Sequence, residues 1–235
     1  MPECYAGRVF FVTGTDTGVG KTWVAGALLA AGARAGLRTL GIKPVAAGVD
    51  GEHDGNPYNA DAIVLQNAAT LDVDYAAVNP VLLQRPIAPH IAAAEEGVEV
   101  RVSALAAHCR TLLTADVDLV VIEGAGGWLV PLNDEETFAD FCRVLGLPVI
   151  LVVGMRLGCL NHALLTAAAI GNVGLELAGW VANCVEPEMS GLDANIDTLH
   201  RRLSAPCLGR VPHLVPGSGP DDVAGHLQFA RLIDD

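Results

Sequence analysis

Positive charge is scarce in this chain of 235 residues. Fourteen lysines and arginines stand against 27 aspartates and glutamates, a net charge of −13, and the sequence pI is about 4.8. A field of that sign repels a polyanion, so no nucleic-acid partner is expected and there is no basic patch to build one on. The acid excess is itself an ordinary means of staying in solution. Long apolar runs are also missing. The stretch 148–153 is too short for a bilayer, which takes about 20 residues, and no basic segment leads into an apolar one at the start of the chain. Neither a membrane partner nor export is expected. The six cysteines, Cys4, Cys109, Cys142, Cys159, Cys184 and Cys207, include no CxxC pair and no Cys/His spacing suited to a metal. They read as reduced, mostly buried thiols of a cytoplasmic protein. No fixed-period repeat, low-complexity tract or linker divides the sequence, so residues 1–235 are expected to form one domain.

What is present is apolar and patterned. Hydrophobic residues make up 51% of the chain and mean hydropathy is +0.41, which excludes intrinsic disorder. Short β-branched runs alternate with Ala/Leu-rich amphipathic segments. Strands are expected at 8–13, 38–45, 118–123, 148–153, 177–182 and 206–211, and helices at 21–35, 58–68, 102–115, 137–146, 161–172, 190–203 and 221–232. Region 48–60 reads as a polar loop, and 84–90 carries two prolines. Several strands are apolar on both faces, which suits a mostly parallel central sheet with helices on both sides, an α/β doubly wound fold.

Within that frame, RVFFVTGTDTGVGKT (8–22) runs from a strand through a Gly-rich turn into a helix opening at Lys21. Phosphate binding needs this order. Small residues let backbone N–H groups converge on an anion, and the helix start adds positive dipole. Lys21 is placed to reach the outer phosphates and the Thr22 hydroxyl to ligate Mg²⁺. The usual spacing puts glycine where Thr15 stands, and Gly14 lies one residue further back, so the loop is a variant with one extra residue. A metal site needs a carboxylate as well; Glu123, at the end of the expected strand DLVVIE, and Asp61, in a polar stretch, are the candidates. Lysine is confined to two positions, Lys21 and Lys43. A compact ammonium kept in so few places points to a task that arginine does not do.

VTGTDTGVGKT, GIKPVAAG, VNP with APHIAA, VIEGAGGWLVPL, PVILVVGMRLGCLNHALLT and GWVANCV, in that order along nearly the whole chain, resemble dethiobiotin synthetases. The resemblance weakens at 49–57 and after about 185. It implies a homodimeric P-loop NTPase fold that joins CO₂ to diaminononanoate with ATP and Mg²⁺, closing a cyclic urea by way of a carbamate and a carbamic–phosphoric anhydride. It assigns Lys43 and Lys21 to catalysis, and Thr22, Asp61 and Glu123 to the metal. It places Gly18, Val19, Gly20, Trp23, Gly124, Ala125 and Gly126 around the phosphates. Asn183, Cys184, Pro212, His213 and Leu214 fall near the adenine. Thr17, Lys43 and Ala47 fall near the diamine, with Cys159, Leu160 and Asn161 taking its carboxylate across the dimer interface. Gly18 stands where a glutamate often occurs, Ala47 where a serine or threonine usually does, and Asn195 where a tyrosine often does, which bears on the substrate contacts more than on the ATP site. His90 and His162 read as packing residues or as residues standing behind the site, Trp128 as core or pocket wall, Trp23 beyond its place beside the phosphates as packing on the sheet, and Arg156 as a partner for an anion at the seam or a surface carboxylate. A partitioning-type ATPase shares the layout but often carries a lysine early in the loop; here that position is Asp16.

Overall fold

Strands that are apolar on both faces are stable only inside a sheet covered on each side. The computed structural model describes residues 5, 7–114, 116–215 and 217–233. The chain opens with β1 (Arg8–Gly14) and α1 (Lys21–Arg34), followed by β2 (Thr39–Ile42) and β3 (Val45–Ala47). A hairpin, β4 (Gly51–His53) and β5 (Asn56–Tyr58), leads into α2 (Ala60–Ala68), the short α3 (Tyr75–Val78), β6 (Val81–Leu83), α4 (Pro89–Glu96) and α5 (Val102–Leu112). Next come β7 (Leu119–Glu123), α6 (Phe138–Leu145), β8 (Val149–Gly154), α7 (Cys159–Asn172) and β9 (Leu177–Asn183). The chain closes with α8 (Leu192–Arg202), β10 (Cys207–Val211), α9 (Pro220–Ala224) and α10 (Ala230–Ile233).

Six strands form one sheet in the order β10-β9-β8-β1-β7-β2, and every pairing in it is parallel. Alternate residues of β1 divide the core. Val9 and Phe11 pack with residues of α5 and α6, while Phe10 and Val12 pack with α1, α2 and α9. Further along the first face, Leu151 and Val153 meet α7 and α8. Phe11 is fully buried against Trp128, Phe138 and Phe141, with ring centroids 5.8 to 6.2 Å apart. Trp128 is therefore core. All strands run the same way, so their C-terminal ends share one rim, the place where ligands sit in such sheets. At the described ends of the chain, the Arg8 guanidinium donates to the Ile233 carbonyl.

Three expectations are corrected. The strand expected over 38–45 is broken after Ile42: Pro44 has no N–H for a ladder, and Val45–Ala47 pairs instead with Val81–Leu83 in a second small sheet. The polar stretch 48–60 holds the β4–β5 hairpin, turning at Asp54 and Gly55, both with positive φ. The helix expected over 221–232 is split, because Leu227 bridges Gly209 and the Gln228 N–H donates to the Leu208 carbonyl at 2.6 Å. Helix α7 starts two residues earlier than expected, and α3 and α4 lie in a region left unassigned by periodicity. Cys109, Cys142, Cys159, Cys184 and Cys207 are free and buried; burial pushes the Cys109 thiol up to about 12. Cys4, and the end of the expected helix at residue 115, lie outside the described residues. No helix among the described residues is long and apolar enough to cross a membrane.

Candidate active site

The loop after β1 is set by its glycines. Gly20, at the N-cap of α1, has φ 88°, and a Cβ there would lie 2.2 Å from Asn183 Nδ2. Only glycine allows both the turn and that approach. Asn183, at the end of β9, uses the space to donate to the Val19 carbonyl at 2.7 Å. Thr15 is tied to β8 through its N–H to the Val152 carbonyl at 3.0 Å. The first N–H groups of α1 have no intrahelical acceptors and open onto the rim. Lys21 folds back, with Nζ 3.1 Å from the Asp16 carbonyl. The Asp16 carboxylate accepts from Thr17 N–H at 2.7 Å and pairs with Arg156, so Arg156 takes a carboxylate of its own phosphate loop.

Lys43, the first residue beyond β2, is 3% exposed. Its Nζ donates to Asp61 Oδ2 at 2.8 Å and to Glu123 Oε1 at 2.7 Å, and lies 3.4 Å from the Gly124 carbonyl. Glu123 ends β7, in register with Val12 of β1, which sets it beside the phosphate loop; Thr22 Oγ1 donates to its Oε1 at 2.9 Å. Asp61 stands in the first turn of α2. That turn is held by the Asn59 side chain, which accepts from Ala62 N–H at 3.4 Å, and by Asp50 Oδ2, which accepts from Ala60 N–H at 2.7 Å.

Burial and charge oppose each other in this cluster. Burial lowers the Lys21 ammonium to about 8, with Lys43 adding to the drop and Glu123 and Asp61 resisting it. Burial also works against the charge on Lys43, but Glu123 and Asp61 outweigh it and hold the ammonium above its ordinary value. At Asp61 burial is overcome by Lys43, and the carboxyl is held below the usual range. Glu123 is pushed up, by burial first and Asp61 second, against the pull of Lys43.

Glu123 Oε2 is buried without a hydrogen-bond partner. With the Thr22 hydroxyl and Asp61 it makes a set of hard oxygens, the ligand type Mg²⁺ takes while leaving other positions to phosphate and water. Among the described residues no three His, Cys, Asp or Glu side chains form a metal-binding group of their own. The residues present therefore fit a metal that arrives with phosphate rather than one caged by protein.

A cavity of about 1010 Å³ opens over the cluster. Thr17, Gly18, Gly20, Lys21, Thr22, Trp23, Lys43, Ala47, Asp61, Glu123, Ala125, Gly126, Asn183, Cys184, His213 and Leu214 all line it. Val19 is buried beneath the loop, and Gly124 packs on the Phe11 ring. Pro212 is not on the cavity wall, and neither are Cys159, Leu160 and Asn161, which begin α7. Asn195 is half-buried and donates within its own helix, to the Gly191 carbonyl at 2.9 Å; His162 is exposed, and not packed. His90 is half-buried with Nδ1 unpartnered. Sequence reasoning missed the apolar wall of Pro86, Ile87, Ala88 and Pro89, which faces Val130 and Pro131. The pair of prolines in 84–90 and the APHIAA segment that begins at Ala88 were its visible signals.

The chain matches a family model described as an AAA domain over residues 8–220. It is 52% identical over 227 residues to the ATP-dependent dethiobiotin synthetase BioD of Cellvibrio japonicus, covering 97% of this chain and 98% of that protein. To the protein of the same name from Aromatoleum aromaticum it is 52% identical over 222 residues, covering 94% and 97%. Among solved structures, the MinC:MinD cell division protein complex of Aquifex aeolicus aligns over 97% of this chain and 96% of that one, with a TM-score of 0.60 at 14% identity. That likeness is one of fold.

Proposed function

The chain belongs to the ATP-dependent dethiobiotin synthetases, within the AAA-domain family whose model it matches, and from that premise we propose how its residues divide the work. The reaction is the ATP-dependent ring closure of diaminononanoate with CO₂ to dethiobiotin, a step of biotin biosynthesis. In the proposed sequence one amine of the substrate adds to CO₂ and loses a proton, giving a carbamate. A carbamate oxygen takes the γ-phosphoryl group and ADP leaves. The second amine then attacks the carbamoyl carbon, and phosphate leaves as the ring closes.

The nucleophiles all belong to the substrate, so the protein's part is positioning and charge. Lys43 stands between two oxyanions, carbamate and γ-phosphate, that repel one another until a cation separates them. Lys21 and the loop Gly18–Trp23, with Gly124, Ala125 and Gly126, cradle the phosphates. Thr22, Asp61 and Glu123 would hold Mg²⁺, which neutralises phosphate charge when bound. Asn183, Cys184, His213 and Leu214 border the adenine, with Pro212 behind them off the cavity wall, and Thr17 and Ala47 border the diamine. Residues 1–235 act as one domain of a cytoplasmic homodimer, in which Cys159, Leu160 and Asn161 of one copy offer the start of α7 to the substrate carboxylate of the other. Leu157, 97% exposed just before α7, and Leu165, 62% exposed on it, support a second copy covering this face.

The observation that carries this reading is the placing of both lysines of the chain in one cavity with a helix start, Lys43 there paired with two carboxylates. Incubated with diaminononanoate, bicarbonate, Mg²⁺ and ATP, the protein is expected to release ADP and a cyclic urea in equal amounts, followed by mass spectrometry. ADP without the urea overturns it.

A further inference from the structure

Two residues lie beneath the catalytic cluster: Tyr75, outside every motif, and Asn79, within the VNP segment 78–80. Asn79, 4% exposed, donates from Nδ2 to the Lys43 carbonyl at 2.7 Å and to the Val81 carbonyl at 3.1 Å. Its Oδ1 accepts from the Tyr75 hydroxyl at 2.9 Å. The same hydroxyl oxygen accepts from the Asn59 N–H at 2.9 Å. An N–H can only donate, so the Tyr75 proton points to Asn79, and this fixes which end of the Asn79 amide faces Lys43. Asn59 caps α2, and its Nδ2 donates to the Gly48 carbonyl and to Asp50 Oδ2, each at 3.1 Å. The Lys43 N–H itself donates to the Val78 carbonyl at 2.8 Å.

One hydroxyl therefore joins two arms. The first runs through Asn79 to the backbone of Lys43, and the second through Asn59 to the turn that carries Asp61. We propose that Tyr75 and Asn79 are positioning residues that hold Lys43 and Asp61 at the separation from which one ammonium reaches both carboxylates. The proposal rests on the reading of Lys43 as the catalytic ammonium. Pro44 removes a ladder bond just past Lys43 and the main sheet ends at Ile42, so continued strand pairing does not fix this backbone. The bracket supplies what the sheet withdraws.

Tyr75→Phe tests it, because the ring stays and only the hydroxyl goes. With the full chain, kcat is expected to fall between about tenfold and a hundredfold, the scale of a small misplacement of a catalytic group, with the KM for ATP within about twofold. The chain has two lysines, so lysine labelled with ¹³C at Cε gives two signals, assigned with Lys43→Arg. The Lys43 signal is expected to shift in Tyr75→Phe while that of Lys21 stays in place. A lowered Tm with kcat and the Lys43 signal unchanged overturns the proposal, since that is what a merely structural hydroxyl gives. A shifted Lys43 signal at undiminished kcat overturns it as well. If Lys43→Ala turns over normally, the underlying reading of Lys43 fails instead.

Discussion

At Lys43 the surroundings set the chemistry more than the side chain does. Glu123 and Asp61 keep the ammonium charged although it is buried, and a buried charge with fixed partners needs no solvent rearrangement when anions arrive. Lys43→Ala is expected to lower kcat by about 10²–10³, the usual cost of one such donor. The Kd for ATP, measured by calorimetry, changes far less, because Lys21 and the loop amides remain. An equal loss in both would place Lys43 among the binding groups. At this scale the sequence was readable where a residue type was rare or its motif local: two lysines, and a glycine-rich turn between a strand and a helix. Tyr75 and Asn59 were not readable. Their roles arise from hydrogen bonds to residues 11 and 16 positions away in the chain and from Asn79 reaching Lys43, 36 positions back, and nothing in their immediate neighbours marks those partners.

Elements were legible where burial is two-sided and continuous. Strands β1, β7, β8, β9 and β10 fall within a residue or so of their expected positions because each is an apolar run closed by a turn. The small sheet of β3 and β6 escaped, since three-residue strands carry no period and their pairing is set by where Pro44 deflects the chain. The β4–β5 hairpin had a signal, Asp54–Gly55 with both residues at positive φ, the pattern of a tight two-residue turn, which was absorbed into a polar loop. Helix α6 shows how an element secures the site. Asp140 Oδ2 accepts from the N–H and the hydroxyl of Thr137, both at 2.9 Å. Thr137 also bridges Pro131, on the cavity wall. Asp140→Ala is expected to cost about 1 kcal/mol at neutral pH by denaturant titration. Burial alone would raise this carboxyl, but Thr137 and Arg143 hold it below its ordinary value. Its contribution is therefore complete above the usual aspartate range and lost as pH falls through the lowered folded value. The gap between variant and parent should close in that acid window.

For the whole molecule, the parallel order of the strands gathers Lys43, Glu123, Asn183 and the phosphate loop on one rim, while the start of α7 stands apart from their shared cavity. The homodimer proposed above, with sites shared between copies, would account for that separation. In such a dimer, Lys43→Ala and Asn161→Ala damage opposite halves of a site. Subunits carrying one change each, unfolded together and refolded at equal amounts, should regain about a quarter of the parent's sites by random pairing in a two-fold assembly. No recovery above the separate variants would mean that each copy works alone. The opposite rim has a different freedom. Arg8 and Ile233 meet there through a hydrogen bond, and the turn at Gly36 is exposed with open space around it. A linker between those ends and a cut at Gly36 would give a circular permutant whose chain begins at β2. Such a permutant should retain turnover, because the order in which the polypeptide is threaded can change while the catalytic rim is left untouched.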